Sequence, residues 1–267
     1  MQSPFVVSFH GSYNLTSRIG FLQEPCLGGE LYQTYKKKEF YGSEPHARFY
    51  VASLVSALAY LHSRKVIYRD VKPENCVLND AGYMKICDLK LAKVIASKTY
   101  TTCGTPDYFA PELIAARGHG FAVDWWCMGV FLFEALAGHP PFESAYPMQI
   151  YSKVMKGIDK VDFTALPRSA KPFIKTLMRQ KPEDRLPMQK GGVDNVRRHP
   201  WLRGFSWNLL ENQTLEPPYV PNVSSSIDTS NFTVNSEDRP RELQYVDDGS
   251  GWADIFGSLT QDSRVEV

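Results

Sequence analysis

The 267 residues are 43% hydrophobic and 13% aromatic, enough apolar material for a sizeable core, which excludes a disordered chain. A net charge of +1 with both signs interspersed gives no reason to expect nucleic acid or a membrane surface as the main partner. The five cysteines (Cys26, Cys76, Cys87, Cys103 and Cys127) form no Cys-x-x-Cys pair and leave one thiol over, which argues against a disulfide scaffold or a zinc site and for a reducing, cytoplasmic setting.

Taken from the start, Met1-Gln2-Ser3-Pro4-Phe5 carries neither the basic nor the apolar region of a signal peptide, so secretion is not expected. Phe5-Val6-Val7-Ser8-Phe9 and Ile19-Gly20-Phe21-Leu22-Gln23 predict two short strands joined by a polar stretch with Gly11 and Asn14, as in a hairpin. Ser43 is a candidate N-cap before Glu44-Pro45, after which Val51, Leu54, Val55, Leu58 and Leu61 recur at the spacing of a core-facing helix. Residues 124–137 predict a fully buried helix. Its most apolar stretch, residues 125–133, contains Gly129 and is far too short to span a bilayer. In residues 170–180, Phe173, Ile174, Leu177 and Met178 share one helix face. After His199-Pro200-Trp201-Leu202 the pattern changes to Pro217-Pro218, Pro221 and Ser224-Ser225-Ser226, which predicts an extended tail.

Among these elements lies the run Tyr68-Arg69-Asp70-Val71-Lys72-Pro73-Glu74-Asn75, followed by Asp88. Transfer of a phosphoryl group needs an oriented hydroxyl, charge neutralisation and magnesium held against the phosphates. Asp70 is the candidate to accept or orient the hydroxyl proton and Lys72 to neutralise the moving charge. Asn75 and Asp88 are candidates to hold metal ions through hard oxygens. Thr105-Pro106-Asp107-Tyr108-Phe109-Ala110-Pro111-Glu112 carries an Ala-Pro-Glu signature after Asp88, and Asp124-Trp125-Trp126 and Arg185 follow in order. On these motifs the chain resembles protein kinases. Glu24-Pro25-Cys26-Leu27-Gly28-Gly29-Glu30-Leu31, Ser43-Glu44-Pro45-His46-Ala47-Arg48-Phe49-Tyr50, Asp228-Thr229-Ser230-Asn231-Phe232 and Gly251-Trp252 extend the resemblance to the AGC group, most of all the cyclic-GMP-dependent kinases, with the cyclic-AMP-dependent kinase next.

The resemblance implies a protein-kinase-like α+β fold: a mainly helical large lobe, a remnant β-hairpin of the small lobe and an extended C-terminal tail. Residues 1–202 would form the kinase domain (1–30 small-lobe remnant and hinge, 31–202 large lobe) and 203–267 the tail. ATP and Mg2+ are the implied cofactors. Glu24 and Cys26 would offer backbone hydrogen bonds to adenine, with Val77 as an apolar floor and Phe232 approaching the ring. Glu30 would reach the ribose or a basic substrate side chain. Glu74 counts among the nucleotide-side residues too. With Glu30, Asp107 and Glu134 it also matches acidic positions that read Arg or Lys before the phosphorylated Ser or Thr; the alternative is that the four are solvated surface charges. Arg69 would pair with a phosphate placed on Thr101 by an upstream kinase. Thr105 would hold Asp70 and Lys72 together, Glu112 and Arg185 would form a buried ion pair, and Asp124 would cap the catalytic-loop backbone.

Three departures qualify this picture. No Gly-x-Gly-x-x-Gly loop and no lysine of the Val-Ala-Ile-Lys type occurs in the 267 residues. Aligned to such a kinase, Met1 falls just before the fourth small-lobe strand, an expectation of a fragment of a longer product or a truncated gene model. Asp88-Leu89-Lys90 stands where the family has Asp-Phe-Gly; glycine there allows backbone conformations closed to Lys90, whose ammonium is expected near the metal site, weakening magnesium affinity. Gln23, behind the adenine, is polar. In the tail, Trp252-Ala253-Asp254-Ile255-Phe256 is expected either to cover the two exposed strands or to stay mobile. The expected function is a serine/threonine kinase acting on basic-context substrates, weak or inactive as this piece. The alternative is a pseudokinase binding module without catalysis.

Overall fold

The computed structural model describes residues 3–15, 18–233 and 249–251. In chain order its first elements are β1 (Phe9–Leu15), β2 (Arg18–Gln23), β3 (Gly29–Glu30), α1 (Leu31–Lys38), α2 (Glu44–Ser63), β4 (Val66–Ile67), β5 (Cys76–Leu78), β6 (Met84–Ile86) and β7 (Lys93–Val94). Helices dominate afterwards: α3 (Pro111–Ile114), α4 (Ala122–Ala137), α5 (Pro147–Lys156), α6 (Ala170–Leu177), α7 (Val193–Arg197) and α8 (Trp207–Glu211). The expected combination of a mainly helical body with a small hairpin is the architecture observed.

Helices α2 and α4 form the centre. Val51, Leu54, Val55, Leu58 and Leu61 of α2 are buried, as are all residues of α4 from Ala122 to Leu136. The face of α6 carrying Phe173, Ile174 and Leu177, with Met178 just beyond, closes against α4. Ser43 stands at the N-cap of α2 with extended backbone, yet its hydroxyl bonds the His46 ring at 2.6 Å instead of a backbone amide. Pro45 explains part of this, because it removes the N2 amide that such a cap would serve.

The hairpin exists, but one strand differs from the expected one. β1 and β2 pair antiparallel from Leu15↔Arg18 to Phe9↔Gln23, so Gly11 and Asn14 lie within a strand and not between strands. Phe5, Val6 and Val7 are buried and join the large lobe, with Val7 N–H donating to Ile86 O and Ile86 N–H to Phe5 O, both at 2.9 Å. Three consecutive apolar side chains find cover there that a two-stranded hairpin cannot offer.

The tail begins with helix, contrary to the fully extended expectation: Leu210 of α8 is buried, Trp207 packs on Phe205 at 5.2 Å, and Arg197 pairs with Glu211 at 2.5 Å. Residues 215–233 run as a strap across the large lobe. Tyr83 donates its hydroxyl to Leu215 O, and Tyr219 packs edge-on against Phe40 at 5.3 Å. Gly82, at φ 87°, lies so close beneath that a Cβ would stand 2.2 Å from Tyr219 O. The segment Trp252 to Phe256 lies outside the described residues.

Candidate active site

The β5–β6 hairpin builds the centre of the site. Its register, Cys76↔Ile86, is continued by Cys87 N–H donating to Asn75 O at 2.9 Å, so Asn75 and Asp88 emerge side by side at one end. The run from Tyr68 to Asn75 approaches the same end. Asn75 Nδ2 donates to Asp70 Oδ2 at 2.7 Å and to Asp70 O at 2.8 Å, while Lys72 Nζ stands 3.6 Å from the same Oδ2 and donates to Thr105 Oγ1 at 3.0 Å. Asp70 is 5% exposed, and its Oδ1 takes no hydrogen bond among the described residues. One carboxylate oxygen is thus anchored and the other has no protein donor among the described residues.

The loop is held from below. Asp124, fully buried near the start of α4, accepts from Tyr68 N–H at 2.9 Å and Arg69 N–H at 2.8 Å, and its Oδ2 lies 2.7 Å from His62 Nε2. This clamp sustains a left-handed Arg69 (φ 69°), a conformation that costs a non-glycine residue on the order of 1 kcal/mol. The second clamp is a bidentate pair: Arg185, fully buried, reaches both Glu112 oxygens at 2.7 Å and also donates to Ala122 O at 2.7 Å and Arg179 O at 3.0 Å.

The segment expected to be the hinge runs from β2 to β3. Although burial works against it, hydrogen bonds from Lys85 and the Ser8 amide hold the Glu24 carboxyl below its usual range; the Lys85 ammonium sits 2.8 Å from Oε1. Cys26 is buried, which pushes its thiol up to about 11, and among the described residues neither its N–H nor the Glu24 C=O has a backbone partner. Val77 is half-buried on β5 opposite Glu30, and Gln23 is exposed at the end of β2. The tail strap meets this hinge: Asn231 Nδ2 donates to Leu27 O at 3.0 Å, and a Cβ on Gly29 (φ 87°) would stand 2.6 Å from Asn231 O. Phe232, next in line, is partly buried.

Thr101 is exposed, and Arg69 Nη1 comes within 3.5 Å of its carbonyl while Nε donates to Leu91 O at 2.7 Å. Thr99 is buried, and its hydroxyl accepts from Lys93 Nζ at 3.1 Å. Of the four acidic residues, Glu74 is exposed, Asp107 and Glu30 are partly buried, and Glu134 is buried with the Tyr108 hydroxyl donating to it. Burial raises Glu134 to about 7; the Tyr108 bond opposes this, and Glu74, Asp107 and Glu143 add to it. Glu134 is therefore not a solvated surface charge.

The backbone expected to be strained at Lys90 is not strained. Lys90 lies in a 3-10 turn, Leu89–Leu91, and the left-handed residue is Asp88 at φ 53°. Its ammonium does reach the metal-side carboxylate, 2.6 Å from Asp88 Oδ2. The donor set consequently fits a hard cation at one point only: Asn75 Oδ1 has no partner among the described residues, whereas Asp88 already carries a cationic group. Residue patterns gave no sign of the Glu24–Lys85 pair, the Lys93–Thr99 bond or His62 beside Asp124, since no local spacing links groups this far apart in sequence.

Among the described residues no helix is long and apolar enough to cross a membrane. Residues 1–202 match the protein kinase domain family. The chain is 43% identical over 94% of its length to a cGMP-dependent protein kinase isozyme 2 of Drosophila melanogaster, covering 27% of that protein. It is 39% identical to human cGMP-dependent protein kinase 2 (95% of this chain, 33% of the relative). It is also 39% identical to the cAMP-dependent protein kinase catalytic subunit 3 of Drosophila melanogaster (93% and 44%). The chain thus spans less than half the length of these curated relatives.

Proposed function

The chain belongs to the protein kinase family, on the AGC side that includes its cGMP-dependent relatives, and from that premise we propose that it transfers the γ-phosphate of ATP to Ser or Thr in basic-context protein substrates. The observation that carries this is Asp70: one oxygen fixed by Asn75 at 2.7 Å, the other open, with Lys72 beside it and tied to Thr105. Such a carboxylate orients a substrate hydroxyl and receives its proton, while Lys72 offsets charge on the group in transit. Glu24, Cys26, Val77 and Phe232 would frame the adenine, and Glu30 the ribose. Mg2+, when bound, would neutralise the phosphates, and Asn75 is the residue best disposed to hold it.

Substrate choice is assigned to the acidic residues Glu74, Asp107 and Glu134, which act on one another electrostatically, with Glu30 at the hinge. Arg69 with Lys93 would receive a phosphate placed on Thr101 by an upstream kinase. We assign residues 1–202 to the kinase domain and 203–267 to its tail, in a cytoplasmic protein. The 267 residues hold no Gly-x-Gly-x-x-Gly loop, so the transfer proposed for them alone is weak. The Lys90 ammonium on Asp88 favours a second reading, a binding module that holds basic peptides without catalysis.

Phosphate transfer from labelled ATP to an Arg-rich Ser/Thr peptide separates the two. Incorporation that Asp70→Asn reduces by about a hundredfold or more supports the kinase reading. Peptide binding with no incorporation by the parent chain selects the binding module.

A further inference from the structure

Asp88 follows the last strand residue of β6 by two positions, and its whole carboxylate is engaged by the residue two places on. Lys90 Nζ lies 2.6 Å from Oδ2, and the Lys90 amide donates to Oδ1 at 3.4 Å. The 3-10 turn at Leu89–Leu91 is what folds the lysine back onto its neighbour. The Lys90 side chain is 66% exposed and that of Asp88 32%, so the pair stands at the open side of the site. Among the described residues the ammonium has no second partner, which leaves N–H donors for another anion. Two carboxylates (Asp70, Asp88) and two ammonium groups (Lys72, Lys90) then balance in charge without a metal ion.

We propose that Lys90 is a built-in counter-cation for Asp88: its ammonium stands where a divalent ion would join that carboxylate to phosphate oxygens, so the chain binds a nucleoside di- or triphosphate with little help from Mg2+. The phosphate half of this rests on the nucleotide site proposed above; the metal half rests on the Asp88–Lys90 geometry alone. A divalent ion on Asp88 must either displace the ammonium or sit beside it. A unit charge next to a divalent one at a solvated surface weakens binding by about tenfold, which equals about 1.4 kcal/mol.

The test has two arms, both on the full chain. In the first, Mn2+ alone is titrated and free ion is read by electron paramagnetic resonance. Lys90→Met is expected to bind about tenfold more tightly than the parent, Lys90→Arg to behave as the parent, and the double variant Asp88→Asn, Lys90→Met to lose the gain. Equal Mn2+ binding by parent and Lys90→Met overturns the counter-cation. In the second arm, ATP binding is measured by calorimetry with Mg2+ and again with EDTA. The parent is expected to change by less than about twofold on chelation and Lys90→Met to weaken by about tenfold. A parent that weakens as much as Lys90→Met overturns metal-independent binding. A parent that binds no ATP in either buffer overturns the nucleotide reading and the phosphate half of the proposal, while the Mn2+ comparison still decides the role of Lys90.

Discussion

Glu134 is a carboxyl whose charge the fold withholds. Burial first, and then the charges of Glu74, Asp107 and Glu143, raise it from 4.5 to about 7 against the Tyr108 hydrogen bond. A group with a raised folded-state pKa binds its proton more tightly when folded, so its contribution to stability is present in acid and is lost as pH rises through about 7. Only the ionised form attracts a guanidinium. The affinity of a labelled Arg-rich peptide, read by fluorescence anisotropy, should therefore rise between about pH 6 and about pH 8, and Glu134→Gln should flatten that rise. The Glu112–Arg185 pair is a different case, fixed by geometry and fully desolvated on the arginine side. Glu112→Gln leaves a buried guanidinium without its counter-charge and should lower the unfolding free energy by about 3–5 kcal/mol in urea titrations. The exposed Lys90–Asp88 pair adds little to stability, so the proposal places its importance in ligand binding.

At the scale of elements, α4 ties the site together. Near its start it gives Asp124 to the catalytic loop, and three turns later it gives Glu134 to the acidic cluster, so both positions are set by one rigid buried helix. Residues 215–233 form a strap, held by Tyr83 to Leu215, by Tyr219 on Phe40 and by Asn231 on Leu27. Gly82→Ala meets two obstacles at once, a left-handed φ of 87° and a carbonyl 2.2 Å from the new Cβ. Limited proteolysis near Tyr219 should then become several-fold faster while the rest of the domain stays resistant, because the strap, not the helical body, is displaced. An unchanged cleavage rate would show that the backbone absorbs the methyl group locally.

For the molecule as a whole, one contiguous hydrophobic cluster runs from Phe5 through α2, α4 and α6 to Leu210 of α8. Because no second core interrupts it among the described residues, far-ultraviolet circular dichroism and tryptophan fluorescence should report coincident unfolding transitions. A transition of the Phe5–Val7 segment separate from the rest would contradict its inclusion in that core. By itself the sequence determined the helices α2, α4 and α6, since a 3.6-residue recurrence of buried side chains is a local property. It also determined the run from Asp70 to Asn75, whose members lie within one loop and so needed no long-range packing to be recognised. Only the tertiary structure decided that Phe5 to Val7 join β6 and leave the hairpin, that residues 207–211 coil into helix, that Glu24 meets Lys85, and that Lys90 turns its charge onto Asp88. Spacing along a chain tells which groups share a face or a loop. Which distant groups meet depends on how the layers pack, and hydrogen bonds and charge interactions follow the distances, angles and burial that the packing sets.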